Sequence, residues 1–176
     1  MSGYDTNVDV DGDGTWDAHQ VHQNADGSYD VTADMNHDGK TDFVGHDYNG
    51  DGLIDSAEYD HNYDGTFDQH WQDTNGNGWQ DHAVADRNQD GKVDAVGVDR
   101  NEDGTLDHVV ADDNYDGTAD TLYQDRNYDE KYDYVARDNN QDGSIDVEVS
   151  DDNYDGTFDN VHYDSNNPST NPLASN

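Results

Sequence analysis

The sequence predicts an all-β repeat protein built from thirteen-residue units, in which an acidic loop precedes a short strand. Two observations carry this prediction. A glycine recurs at one loop position from Gly14 to Gly156 with a spacing of thirteen residues, apart from one step of twelve and a substitution by Glu130. β-Branched and aromatic residues, which favour strands, follow each loop. Such periodicity is typical of repeat architectures, in which each unit packs on its neighbours.

The loop is the constant part of each unit. Units follow the pattern DxNxDGxxDxxxx, and the one deletion falls between Asp30 and Asp34, outside the loop. We therefore predict an N-terminal lead over residues 1–8, twelve tandem repeats over 9–163, and a degenerate repeat start with a flexible tail over 164–176. The units begin at Asp9, His22, Asp34, Asp47, Asp60, Asp73, Asp86, Asp99, Asp112, Asp125, Asp138 and Asp151.

The strand occupies the later part of each unit. Positions 7 to 13 are rich in Thr, Val, Tyr, Ile, Phe and Trp, and position 8 is apolar in ten of the twelve units. We expect these position 8 side chains to form the core. They are Trp16, Tyr29, Ile54, Phe67, Val93, Leu106, Ala119, Tyr132, Ile145 and Phe158.

The short period limits how the strands can be arranged. A strand of about six residues advances roughly 20 Å, and the rest of the unit is too short both to turn and to travel back. Successive strands are therefore expected to reverse direction. We favour a β-solenoid of the β-roll type, with two repeats per coil and parallel sheets, because it stacks position 8 into one continuous seam. The alternatives are an antiparallel meander and an irregular wire with little regular structure.

The composition makes cations the first partner to consider. Asp and Glu number 43 against 7 Lys and Arg, so the formal net charge is −36 and collapse without counterions is opposed by strong repulsion. Only 30% of residues are hydrophobic and the mean hydropathy is −1.29, while the absence of Cys excludes disulfides, cysteine-based zinc sites and thiol nucleophiles. The acidity also excludes ordinary nucleic-acid binding, and no apolar run is long enough for membrane insertion.

The loop spacing predicts a site for a hard cation. Oxygen-bearing side chains at positions 1, 3 and 5 of a tight turn face one centre, glycine at position 6 permits the reversal, and a carboxylate at position 9 closes the site. Oxygen ligands select calcium over zinc or copper, and flexible carboxylates suit calcium better than magnesium. We therefore expect several Ca²⁺ ions, up to about one per repeat.

The loops resemble those of EF-hands, dockerins, thrombospondin type 3 repeats and the integrin-type DxDxDGxxD hairpin, over residues 9–163. The segment DYNGDGLIDSAE is similar to a complete twelve-residue EF-hand loop. The resemblance implies that its ligands are Asp47, Asn49, Asp51, the carbonyl of Leu53, Asp55 and Glu58. Only four residues separate one loop from the next, which excludes the paired helices of a true EF-hand.

Applied to every unit, the pattern gives a set of predicted metal ligands. They are Asp9, Asp11, Asp13, Asp17, Asn24, Asp26, Asp30, Asp34, Asn36, Asp38, Asp42, Asp47, Asn49, Asp51, Asp55, Glu58, Asp60, Asn62, Asp64, Asp68, Asp73, Asn75, Asn77, Asp81, Asp86, Asn88, Asp90, Asp94, Asp99, Asn101, Asp103, Asp107, Asp112, Asn114, Asp116, Asp120, Asp125, Asn127, Asp129, Asp133, Asp138, Asn140, Asp142, Asp146, Asp151, Asn153, Asp155 and Asp159.

Several units depart from the pattern. Glu at position 12 occurs only at Glu58, so we expect position 1 of the following unit to complete each preceding site, as adjacent turns do in the RTX calcium β-rolls that the array resembles. Three sites are expected to be weaker: His22 replaces the first Asp of its unit, Asn77 replaces an acid, and Glu130 replaces the glycine.

Two functional classes agree with these features. We favour a structural or adhesive module at the cell surface or outside the cell, which calcium folds and stiffens. The alternative is an intracellular, cytoplasmic calcium buffer or sensor, since MSGYDTNVDV does not resemble a signal peptide. A repeat-wide pattern offers no unique acid–base pair or nucleophile, so no enzymatic activity is expected. The sequence identifies no protein or surface partner.

Overall fold

The structure is a computed structural model that describes residues 17–164. The predicted ligands Asp9, Asp11 and Asp13, the lead and the tail beyond residue 164 lie outside the described residues. Within the described part the chain is all-β, without helices, and therefore has no helix long and apolar enough to cross a membrane. The described residues divide between two compact units that each contain several repeats: the first unit ends at residue 89 and the second unit begins at residue 90.

Each unit carries six described strands. The first contains β1 (His19–Gln23), β2 (Tyr29–Ala33), β3 (Phe43–Asp47), β4 (Ser56–Tyr59), β5 (Gln69–Gln72) and β6 (His82–Ala85). The second contains β7 (Ala95–Val98), β8 (His108–Ala111), β9 (Thr121–Gln124), β10 (Tyr134–Arg137), β11 (Val147–Ser150) and β12 (Asn160–Tyr163).

Within each unit, every strand pairs antiparallel with the next strand in the chain. The expected all-β repeat and the reversal of direction at each repeat are therefore confirmed. The favoured β-roll is not: its neighbouring strands would be parallel, whereas these pairs form the antiparallel meander. The physical reason is the loop, which turns back on itself so that the chain returns beside the strand it has just left.

The register gives the sheet of the first unit an apolar face. Phe43 pairs with Ala33 and Tyr59, and Gly45 pairs with Val31 and Ala57. Because side chains alternate between the faces of a strand, these residues share one face. Val31, Ala33, Phe43 and Ala57 are buried there, with Met35, Ile54 and Tyr59 packed against them.

Position 8 contributes less to the core than the sequence suggested. Ile54 packs over Gly45, where an added Cβ would lie 3.1 Å from its Cδ1 atom. Phe67, Tyr132 and Phe158, in contrast, remain 38%, 39% and 45% exposed. In each unit the strands form a single layer. A position 8 side chain therefore packs on the sheet with one side only, and its other side remains exposed to solvent. A continuous buried seam is therefore not formed.

Candidate metal-binding loops

Each candidate loop is the turn of a hairpin. The loop over residues 34–42 joins β2 to β3, and the loop over residues 47–55 joins β3 to β4. Because the strands alternate in direction, consecutive loops lie at opposite ends of their shared strand. Within each compact unit, the loops of every second repeat therefore lie at the same end of the strands, here called an edge of the sheet.

The carboxylate at position 1 organises the turn. Asp47 Oδ1 accepts a hydrogen bond from the Gly50 N–H at 2.7 Å, and its Oδ2 accepts one from the Gly52 N–H at 2.9 Å. Asp151 makes the same pair of contacts with Tyr154 and Gly156, both at 2.7 Å. A carboxylate held by two N–H groups keeps its remaining lone pairs in a fixed direction.

Positions 3 and 5 form successive turns of the Asx type. Asn49 Oδ1 accepts the Asp51 N–H at 2.8 Å, and Asp51 Oδ1 accepts the Leu53 N–H at 3.0 Å. Asn77 supports the same turn in its loop, because its Oδ1 accepts the Trp79 N–H at 2.9 Å. An amide at this position therefore preserves the backbone and changes only the charge.

Position 9 closes the loop back onto its beginning. Asp55 Oδ2 accepts the Tyr48 N–H at 2.7 Å, and Asp42 Oδ2 accepts the N–H groups of Met35 and Asn36 at 2.8 and 3.2 Å. Carboxylates at positions 1 and 9 are also among the most buried side chains, with Asp47 0% and Asp42 1% exposed. Burying a carboxylate without a counter-charge costs free energy, and the loops bury carboxylates at position 1 and at position 9.

A left-handed residue at position 4 is a feature that the sequence analysis missed. His37, Tyr63 and Tyr154 have φ angles of 60°, 61° and 60°, which non-glycine residues rarely adopt. The signal was present in the sequence, because three repeats carry glycine there, Gly12, Gly50 and Gly76. With position 6 also left-handed, the turn directs several N–H groups toward the carboxylate at position 1.

Two buried carboxylate oxygens in these loops have no hydrogen-bond donor. They are Asp42 Oδ1 and Asp133 Oδ1, both at position 9. Asp133 Oδ1 lies 3.8 Å from Arg126 Nε, so a cationic side chain is nearby. A buried charged oxygen without a partner costs free energy, and a hard cation is the kind of group that would satisfy it. The chemistry of the unsatisfied Asp42 oxygen therefore suits an oxygen-seeking cation.

The carboxylates of a loop do not converge on one point. No group of three or more His, Asp or Glu side chains in residues 17–164 has the geometry of a metal cluster. The carboxylate oxygens instead receive N–H groups of their own loop.

The pKa values of two position 1 carboxyls shift in opposite directions. Burial raises the pKa of Asp99, and the charges of Asp103 and Asp107 add to this effect against the N–H groups of Gly104 and Glu102. Burial opposes ionisation of Asp151 as well, but hydrogen bonds from the N–H groups of its loop outweigh it and lower the pKa. Burial thus outweighs the N–H groups of the loop at Asp99, whereas the N–H groups outweigh burial at Asp151.

The second repeat has a different turn from the repeats over residues 34–164. The Asn24 N–H donates to the Ser28 carbonyl at 2.9 Å, and Asp30 lies within β2. There the Asp30 carboxylate contacts His46 Nδ1 at 2.8 Å on the next strand and accepts the Asn24 Nδ2 amide at 3.0 Å. The hydrogen bond from His46 is the main cause that lowers the pKa of Asp30. Asp30 is thus directed toward the sheet.

Glu58 lies in a strand, away from the loop that it was expected to complete. It belongs to β4, where it pairs with Val44 on one side and His70 on the other. A strand advances about 3.3 Å per residue, so three residues carry Glu58 roughly 10 Å beyond Asp55. In an EF-hand the corresponding residue follows a helical path, which is shorter per residue.

Position 1 of the following repeat does not lie beside the preceding loop, contrary to our expectation. Asp60 follows the loop 47–55 in sequence, but β4 separates the two. Its N–H donates to the carbonyl of Asp42 at 2.8 Å, in the loop two repeats back. The antiparallel meander is the reason, since it places consecutive loops at opposite ends of a strand.

No protein-family model, curated protein or solved structure matches this chain.

Proposed function

We propose that the chain is a calcium-binding repeat protein in which Ca²⁺ ions fold and stiffen an acidic β-sheet module. The observation that carries the proposal is the buried Asp42 Oδ1, which has no hydrogen-bond donor in a loop otherwise rich in directed oxygen atoms. The loops from Asp34 onward share this backbone, so up to about one ion per repeat would be bound. The ligands are oxygen atoms only, which favours calcium over transition metals.

The charge of the chain gives the ions a role in folding. At a formal charge of −36, mutual repulsion opposes the compact state, and one divalent cation in each of the ten loops from Asp34 onward would leave a formal charge of −16. Because binding sites of this kind form only in the folded state, the binding free energy adds to the stability of the fold. Calcium would therefore act as the counter-charge that permits the carboxylates to be buried.

A structural or adhesive role outside the cell or at its surface fits these features best. Glu58, the one acid at position 12, lies in a strand, so the loops lack the bidentate ligand associated with tight binding at low calcium. Weaker sites would fill where calcium is abundant. An intracellular buffer or sensor is the alternative, and it would require affinity at low calcium concentrations.

The test is to measure ion binding and folding together. Isothermal titration calorimetry with calcium should give several ions per chain, and circular dichroism should show β structure with calcium that is lost with a chelator. Magnesium at the same concentration is the control and should bind more weakly, because it demands a smaller octahedral site. An unchanged spectrum and hydrodynamic radius in chelator at low salt would overturn the proposal.

The affinity separates the two roles. Sites that fill only near millimolar calcium would support the extracellular module, whereas submicromolar affinity would favour the intracellular alternative.

A further inference from the structure

Loops along one edge of the sheet are joined by a repeated hydrogen bond. The N–H of position 1 in one loop donates to the carbonyl of position 9 in the loop two repeats earlier. The described chain shows this bond at Asp60, Asp73, Asp86, Asp112, Asp125, Asp138, Asp151 and Asp164, with donor–acceptor distances of 2.7 to 2.9 Å.

Both partners in this bond are candidate ligand residues. Asp125 donates its N–H to the Asp107 carbonyl at 2.8 Å, and Asp151 donates to the Asp133 carbonyl at 2.8 Å. A cation held by the carboxylate of Asp133 would order the carbonyl of the same residue. That carbonyl in turn holds the first residue of the next loop on the edge. Ion binding in one loop would thereby preorganise the other.

Side chains reinforce the contact between loops of the same edge. In the first unit, position 7 of two loops lies over the glycine at position 6 of the loop two repeats later. Leu53 Cδ1 lies 3.0 Å from the place that a Cβ of Gly78 would occupy. Lys40 Nζ lies 3.2 Å from the corresponding place at Gly65 and donates to the Asp64 carbonyl at 3.1 Å.

The loops over residues 125–133 and 151–159 enclose a cleft between them. Its empty volume is about 350 Å³, including space open to solvent, and its lining includes Asp129 and Asp133 from one loop and Asp151 from the other. Asp133 is 4% exposed, and its Oδ1 has no hydrogen-bond donor. Cation binding in either loop would therefore change the electrostatic potential at carboxylates of both.

We propose that, within each compact unit, the candidate loops form two separately cooperative ladders, one along each edge, in which cation binding couples a loop to its second neighbour and leaves the loops between them unaffected. This inference rests on the proposed calcium function. In the second unit, one ladder contains the loops that begin at Asp99, Asp125 and Asp151. The other contains those that begin at Asp112 and Asp138.

The experiment removes one ligand charge from each ladder in turn. Asp129→Asn acts in the loop 125–133, and Asp142→Asn acts in the loop 138–146. Both residues are at position 5, where Asn77 shows that an amide keeps the turn. Calcium would be titrated into the full chain while amide resonances of the position 6 glycines are followed by NMR.

The two variants should give opposite patterns. Asp129→Asn should raise the calcium midpoints of Gly104 and Gly156 by about fivefold or more, with Gly117 and Gly143 unchanged. Asp142→Asn should raise the midpoint of Gly117 and leave Gly104 and Gly156 unchanged.

Equal shifts on both edges, or no shift outside the mutated loop, would overturn the two ladders while leaving calcium binding intact. Wild-type glycine resonances that do not respond to calcium would overturn the proposed function and the ladders together.

Discussion

At the scale of single residues, the unusual feature is the burial of carboxylates at both ends of a loop. Asp42 is held through Oδ2 by two N–H groups, while its Oδ1 has no donor. Buried charged groups are as a rule paired. A buried carboxylate oxygen without a donor is therefore expected to have a function.

We predict that Asp42→Asn lowers the number of bound calcium ions by one and raises the calcium concentration needed for folding. The substitution keeps the size of the side chain and removes the anionic ligand. Titration calorimetry and circular dichroism measure both effects.

Asp152→Asn is the matched control, because it makes the same charge change at an exposed residue outside the ligand set. If Asp42→Asn folds at lower calcium than the wild type, the buried oxygen only destabilises the fold and is not a ligand.

Glu130 shows that the loop keeps its backbone conformation even without glycine at position 6. It occupies the position held by glycine elsewhere and has a φ angle of 69°. Its N–H still donates to Asp125 Oδ2 at 2.8 Å, so the turn is retained. A side chain in the left-handed region costs about 1 kcal/mol or more, which this loop must absorb.

Glu130→Gly should therefore raise the free energy of unfolding in saturating calcium by about 1 kcal/mol, because it removes this strain. Denaturant unfolding measures the change. Glu130→Ala removes the same charge but retains a Cβ atom, so it separates the backbone effect from the electrostatic one. Equal stabilisation by the two variants would mean that charge, and not strain, is responsible.

At the scale of the elements, a strand of four or five residues is short, and loop side chains help to cover it. Leu106, at position 8, lies so close to Gly97 of β7 that a Cβ added there would overlap its Cδ1 atom. The position 8 residue and the small residue on the strand therefore form a matched pair.

Gly97→Ala should lower the free energy of unfolding in saturating calcium by about 1–3 kcal/mol, because the added methyl group overpacks against Leu106. The cost should fall in a Leu106→Ala background, where the space is free. A double-mutant cycle by denaturant unfolding measures this coupling. Equal cost in both backgrounds would show that the two side chains do not compete for the space.

At the scale of the whole molecule, net charge dominates. The formal net charge is −36 and most of the acidic residues belong to the loops, so repulsion between carboxylates opposes folding. Monovalent salt acts on the same repulsion without binding specifically, since it shortens the screening length from about 30 Å at 0.01 M to about 3 Å at 1 M.

In chelator, the hydrodynamic radius should decrease as sodium chloride is raised from 0.01 to 1 M, because screening weakens the repulsion between loops. Calcium at millimolar concentration should compact the chain further than salt alone, since it also supplies coordination. Dynamic light scattering or analytical ultracentrifugation measures the radius. If the hydrodynamic radius does not change with sodium chloride but decreases with calcium, coordination, and not repulsion, controls folding.

The sequence by itself determined the repeat, its frame, the all-β class and the reversal at each loop. These features depend on local chemistry: Asp and Asn accept N–H groups of their own turn, glycine permits positive φ, and β-branched residues favour strands. The cation ligands at positions 1, 3, 5 and 9 stay a prediction from the sequence, which rests on their spacing within one loop.

Only the tertiary structure decided which loops are neighbours. Sequence distance suggested that Asp60 would complete the loop 47–55, yet it contacts Asp42 in the loop two repeats back. It likewise decided between β-roll and meander, and it placed Glu58 beside Val44 and His70. The physical reason is that both arrangements satisfy the same local preferences. The choice between them depends on how the strands pair. Strand pairing joins residues of different repeats, so the sequence of a single repeat does not indicate it.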